Sequence, residues 1–181
     1  MSRKPVLFQW SLFDNSLTLL DGTVLRRCEV PEPIYASEQC RIFSLATGKL
    51  CPMKLFKKST KSRGNYGRKQ PYLYVSTCWK GKQKKYYAHR LMSVWLDPPK
   101  SPEEKFIDHL NGILADNRAE NLQYVTKKEN DKRAGILRIL RSIGRDPTTM
   151  SRAELLSIFS HYRFEDPSKR MEYELTHHME I

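Results

Sequence analysis

The sequence predicts an α+β chain: N-terminal antiparallel β elements, a central strand–loop–strand–helix core, and C-terminal helices. Three observations predict it. The first 88 residues are short apolar and aromatic runs separated by turn signals, the pattern of a small β region. Residues 106 to 130 then read in the order strand, loop, strand, helix. Beyond them, apolar residues recur at helical spacing behind N-cap signals.

Asp21-Gly22 separates Leu17 to Leu20 from Thr23 to Leu25, a hairpin signal. Arg41 to Leu45 and Lys49 to Leu50 form a second strand-like pair around Ala46-Thr47-Gly48. Lys57 to Gln70 contains Gly64, Asn65 and Gly67 among basic residues and reads as a mobile loop. Tyr72 to Trp79 and Lys84 to Ala88 flank Lys80-Gly81-Lys82, another hairpin rich in Tyr, Val and Thr. Leu91, Met92, Val94 and Trp95 suit one side of a short helix, which Pro98-Pro99 stops. Phe106 to His109 is a strand ending in the turn Leu110-Asn111-Gly112, and Leu122 to Val125 is its return. Thr126 with Glu129 makes a capping box, so a helix starts at Lys127. Ile136, Leu137, Ile139, Leu140 and Ile143 continue the pattern to Gly144, and Ser151 with Glu154 caps another helix through Leu155, Leu156, Ile158 and Phe159. These last two helices allow a helix-turn-helix or a plain packing pair. The expected segments are a β module at 1–56, a basic loop and hairpin at 57–85, the core at 86–135, a helical segment at 136–163 and a tail at 164–181. From Arg163 onward the chain holds five acids, three bases and the pair His177-His178, which suits a frayed end or a metal site.

Lys and Arg outnumber Asp and Glu by 32 to 20, a net charge of +12, and 39% hydrophobic residues suffice for a core, which argues against wholesale disorder. There is no run of 18 apolar residues, and Met1-Ser2-Arg3-Lys4-Pro5 lacks the apolar stretch and small-residue cleavage site of a signal peptide, so the expectation is a cytoplasmic protein, without export or membrane spanning. Cys28, Cys40, Cys51 and Cys78 include no C-x-x-C pair and read as reduced thiols, with a zinc assembled from distant cysteines as the alternative. The charge is concentrated. Between Glu38 and Asp97 stand fourteen cations and no acid, interleaved with Tyr66, Tyr72, Tyr74, Trp79, Tyr86 and Tyr87. A one-sign stretch with aromatics suits a polyphosphate backbone; a solvated basic face over an aromatic core is the bland alternative. The candidate DNA-binding residues are Lys54, Lys57, Lys58, Lys61, Arg63, Arg68, Lys69, Lys80, Lys82, Lys84, Lys85 and Arg118.

Four polar residues mark the core: Asp108 and His109 at the first strand, Asn121 at the second, Asn130 on the helix. A hairpin with the helix laid across it would bring Asp108 and Asn130 close, and a carboxylate with an amide oxygen could hold a hard divalent cation beside His109.

With Tyr87-Ala88-His89-Arg90-Leu91, Ile107-Asp108-His109, Asp116 to Thr126 and Glu129-Asn130, the chain resembles the HNH homing endonucleases, in particular those encoded by phage introns and their free-standing relatives. Ile34 to Leu55 is similar to the small β module that often precedes this motif, with Cys40 where that module usually has glycine. Leu110-Asn111-Gly112 also departs from the family, which commonly has Asp at the middle position. The resemblance implies a ββα-metal nuclease fold and site-specific hydrolysis of DNA. It implies His109 as general base on water and Asp108 and Asn130 as metal ligands. The cofactor it implies is one divalent cation; oxygen ligands without thiolate suit Mg²⁺ or Mn²⁺. Imidazole, with a reference pKa near ~6.5, is largely neutral at pH 7 and ready to accept a proton. Asn121 is expected to orient the catalytic loop. His89, Asn111 and Asn117 are expected as structural support; for Asn117 and Arg118, phosphate contact and a solvated loop both stay open.

Adjacent strand residues point to opposite faces, so Asp108 and His109 can share a cation only if the strand ends or bends at His109. The expected partner is duplex DNA, without a membrane, bound by a monomer or a dimer. Two rival functions stand beside the nuclease: a non-catalytic DNA-binding protein that keeps the fold, and an RNA-binding protein whose tyrosines stack on unpaired bases.

Overall fold

A computed structural model describes residues 5–11, 14–46, 48–59 and 70–162, so Lys61, Arg63, Arg68, Lys69 and the tail lie outside the described residues. The chain is mixed α+β and divides into two compact units: Met1–Ser59 with Pro71–Leu96 and Asn117–Glu120, and Thr60–Gln70 with Asp97–Asp116 and Asn121–Ile181.

The first unit opens with six strands, β1 (Phe8–Trp10), β2 (Leu17–Leu19), β3 (Val24–Arg27), β4 (Ile34–Ser37), β5 (Ile42–Ala46) and β6 (Lys49–Pro52). They pair antiparallel in chain order. Val6, just before β1, bridges Leu50 of β6, which brings the two ends of the sheet together and shields edge groups that would otherwise be unpaired. Leu17, Leu19, Leu25, Tyr35, Phe43 and Leu50 form its core. The Asp21-Gly22 turn has Gly22 at φ 79°, and Cys40 adopts φ 62° between β4 and β5. That left-handed conformation is the physical reason a glycine suits position 40.

A second sheet in this unit comprises β7 (Phe56–Ser59), β8 (Pro71–Trp79) and β9 (Lys82–Tyr87), with β8 central. Lys57 to Ser59 are thus strand where the sequence suggested loop. They pair with Tyr72, Leu73 and Pro71, and local composition cannot register such a distant partner. Tyr86 donates to buried Glu32 and Lys84 pairs with the same carboxylate, tying β9 to the loop before β4. After β9 come the short helix α1 (Ala88–Leu91) and a 3-10 turn over Met92–Trp95.

The second unit holds the hairpin of β10 (Phe106–His109) and β11 (Leu122–Val125), then α2 (Lys127–Ser142) and α3 (Arg152–His161). Thr126 caps α2 by accepting from the Glu129 amide, but Glu129's side chain goes to Arg133, so only half of the expected capping box forms. α2 closes in a Schellman motif around Gly144 at φ 80°, with Gly144 N–H on Arg141 O and Arg145 N–H on Leu140 O. The Ser151–Glu154 capping box of α3 is complete. Leu110, Ile136, Leu137, Leu140, Leu155 and Phe159 form one core joining the hairpin turn to both helices. Arg141 Nη2 donates to Asn111 O and Arg152 Nη1 to Leu122 O, further pinning the helices to the hairpin.

Candidate functional site

β10 and β11 pair Asp108 with Gln123 and His109 with Leu122. The strand ends at His109, whose carbonyl accepts from the Gly112 amide as the chain turns. The ladder stays regular up to that residue, and in such a ladder adjacent side chains leave on opposite faces. His109 is 3% exposed.

On Asp108's side lies α2. Arg133 Nη1 stands 3.5 Å from Asp108 Oδ2 and donates to Gln123 Oε1 at 3.0 Å, and Nη2 pairs with Glu129. Asp108 Oδ2 is buried and makes no hydrogen bond. Burial pushes the Asp108 carboxyl up to about 6, against the opposing pull of Arg133 and of the His109 amide. Asn130 is half-buried, three residues before Arg133 on α2, so the two are neighbours on the helix surface, Asn130 one turn nearer the N-terminus.

Asn121 is the hub of the loop between the strands. Its Oδ1 accepts from Asn111 N at 3.0 Å, and its Nδ2 donates to Asn111 Oδ1 and to Asp116 O. Asn111 in turn donates from Nδ2 to Asp116 Oδ2 at 2.9 Å and accepts the Ile113 amide on Oδ1. Both asparagines are buried. An aspartate at 111 would lack the Nδ2 donor that Asp116 uses here.

In the first unit, His89 sits against the rings of Tyr72 and Tyr87, at centroid distances of 5.3 and 5.8 Å. Asn117 is buried, and exposed Arg118 pairs with Glu120. Strand register puts Lys58, Lys85, Phe56, Tyr72, Tyr74 and Tyr87 on one face of the β7–β9 sheet. Lys54, Lys58 and Lys85 lie over Phe56, Tyr87 and Tyr74 respectively. Lys57 and Lys84 belong to the opposite face, and Lys80 and Lys82 are exposed at the hairpin end.

The residues that sequence reasoning missed are Arg133, Gln123 and Asp116. Arg133 had a signal: it is a cation in the stripe Arg133, Ile136, Leu137, Leu140, all of them buried. A charged residue inside an apolar stripe needs a partner.

For a cation, the observation that counts is the buried Oδ2 of Asp108, which makes no hydrogen bond and pairs with Arg133 at 3.5 Å; Asn130 lies one turn from Arg133 on α2. The donors fit a hard divalent ion that takes its remaining ligands from water and phosphate. Among the described residues no group of three or more His, Cys, Asp or Glu could hold a metal alone. No described helix is long and apolar enough to cross a membrane.

The HNH endonuclease family matches residues 86–132, which run from the end of β9 through α1, β10, the loop and β11 to the start of α2. An uncharacterized HNH endonuclease of Acanthamoeba polyphaga mimivirus is 47% identical over 47 residues, 25% of this chain and 12% of that protein's length. A solved structure titled for DNA binding and cleavage by the HNH homing endonuclease I-HmuI aligns at TM-score 0.44 and 19% identity, over 75% of this chain and 66% of that one.

Proposed function

We propose that this chain, which carries an HNH endonuclease segment at residues 86–132, is a site-specific, homing-type endonuclease that hydrolyses phosphodiester bonds of duplex DNA. The observation that carries this reading is the position of Asp108. Asp108 lies within the matched segment, on the strand beside α2, and its buried Oδ2 makes no hydrogen bond and has only the Arg133 guanidinium, 3.5 Å away, as a charged partner. Asp108 and Asn130 would hold one Mg²⁺ or Mn²⁺, and the bound cation supplies positive charge to the phosphate and the departing 3′ oxygen. His109 takes the proton of the attacking water, a role worth roughly 10²- to 10⁴-fold in rate. Asn121 and Asn111 hold the loop that follows His109, and Asn117 and His89 support their own elements. The cations of the β7–β9 sheet and the C-terminal helices extend the contact along the DNA, Lys84 contributing less because Glu32 already neutralises it.

The test is a supercoiled plasmid incubated with Mg²⁺ or Mn²⁺, with EDTA, and with His109→Ala. Metal-dependent relaxation or linearisation that the variant loses is expected; a plasmid left intact by the wild-type protein overturns the reading. Relaxed versus linear product also reports how many strands are cut. A second reading, a DNA-binding protein that keeps the fold without cleaving, is favoured by the burial of His109 in a regular ladder. It predicts an intact plasmid together with DNA affinity that falls with log salt at a slope of roughly −5 to −9 for six to ten phosphate contacts.

A further inference from the structure

We infer that Arg133 makes cation loading depend on DNA: its fixed guanidinium sits beside Asp108 in the free protein and keeps the site too weakly negative to retain a dication until a phosphate arrives. This rests on the nuclease reading and adds a residue that the reading does not use.

The guanidinium is held from several sides. Gln123 of β11 accepts from Nη1 at 3.0 Å, Asp108 of β10 lies 3.5 Å away, Glu129 pairs with Nη2, and the ring of Phe159 in α3 lies 4.9 Å from Cζ. At 4% exposed, Arg133 is not free to swing into solvent. It is therefore a permanent charge in a poorly screened place, where Coulomb interactions exceed those in water. The site's other carboxylate, Glu129, is spent on Arg133. A dication approaching Asp108 meets one carboxylate and one cation. Removing the guanidinium leaves two carboxylates without it, while adding a DNA phosphate restores the missing negative charge from outside. Arg133 acts through Asp108 and is a positioning residue.

The test is Mn²⁺ binding to the full chain followed by electron paramagnetic resonance, without DNA and with a duplex of arbitrary sequence at low salt. Wild type is expected to bind Mn²⁺ roughly tenfold more tightly with the duplex than without it. Arg133→Gln, checked for folding by circular dichroism, is expected to bind Mn²⁺ without DNA roughly tenfold more tightly than wild type, and Arg133→Lys to stay near wild type. A purely structural role moves both variants toward weaker binding. If Arg133→Gln does not fold, Gln123→Glu, which offers the guanidinium another carboxylate, is expected to raise DNA-free affinity in the same direction, and the gain must vanish when Asp108→Asn is added. DNA-free affinity unchanged or weakened in the folded variant overturns the inference. Mn²⁺ binding that needs Asp108 and the duplex yet ignores Arg133→Gln sinks only the role of Arg133; binding indifferent to Asp108→Asn sinks the metal site of the nuclease reading as well.

Discussion

Replacing Asp108 by asparagine is expected to make the protein more stable near neutral pH while abolishing the proposed cleavage. The side chain is 12% exposed, and burial, only partly offset by Arg133 and the His109 amide, raises its pKa from 3.8 to about 6. That difference corresponds to about 3 kcal/mol against the ionised form in the folded state. The sign follows from proton counting: between pH 3.8 and about 6 the folded chain holds more protons than the unfolded one, so stability falls as pH rises through this window and stays low above it. An asparagine has nearly the shape of the protonated acid and carries none of this penalty. Asp108→Asn should therefore gain about 1 to 3 kcal/mol at pH 7.5 and roughly nothing at pH 3.5. For a chain of this size each kcal/mol moves the melting temperature by roughly 2–4 °C. Urea or thermal unfolding at the two pH values, beside the plasmid assay, reads both consequences. A variant less stable than wild type at pH 7.5, or a difference independent of pH, would refute the argument that burial of this charge sets the cost.

The remaining predictions concern the frame around the site. Asn111→Asp sets a second carboxylate oxygen where Nδ2 now donates to Asp116, and should cost about 1–3 kcal/mol in thermal unfolding. Adding Asp116→Asn should recover most of that loss, and no recovery would mean that the pair does not govern the turn. Asn121→Ala removes the three hydrogen bonds that the Asn121 side chain makes to the turn and loop. It should cost about 2–4 kcal/mol and speed hydrogen exchange at the Asn111 amide; an amide as protected as in wild type would argue against the hub. Ser151→Ala removes the α3 cap and should cost about 1 kcal/mol by chemical denaturation, with no change in Mn²⁺ affinity.

Elements with local causes were legible. The Asp21-Gly22 hairpin, the strand before Leu110-Asn111-Gly112 and the start of α2 after Thr126 are all found where short-range chemistry put them. The departures have distant causes. Lys57 to Ser59 became β7 only through a partner strand more than ten residues away. Glu129 left the Thr126 box because Arg133 competes for its side chain. Of the candidate site, the sequence pattern named Asp108, His109, Asn121 and Asn130 as belonging to one motif, but it contained nothing about which neighbours each would meet.

The sequence by itself determined the Asp21-Gly22 turn, the strand–turn–strand–helix order from Phe106 into α2, the Ser151–Glu154 cap, the one-sign charge between Glu38 and Asp97, and the segment that the HNH endonuclease family matches. Each of these depends on residues a few positions apart, or on a count. The tertiary structure decided that Asp108 is buried beside Arg133, that Asn111 and Asn121 hold each other and Asp116, and that Lys58 and Lys85 share a sheet face while Lys84 turns to Glu32. Those outcomes depend on which chemical groups lose water together, and that is set by contacts between residues far apart in the chain.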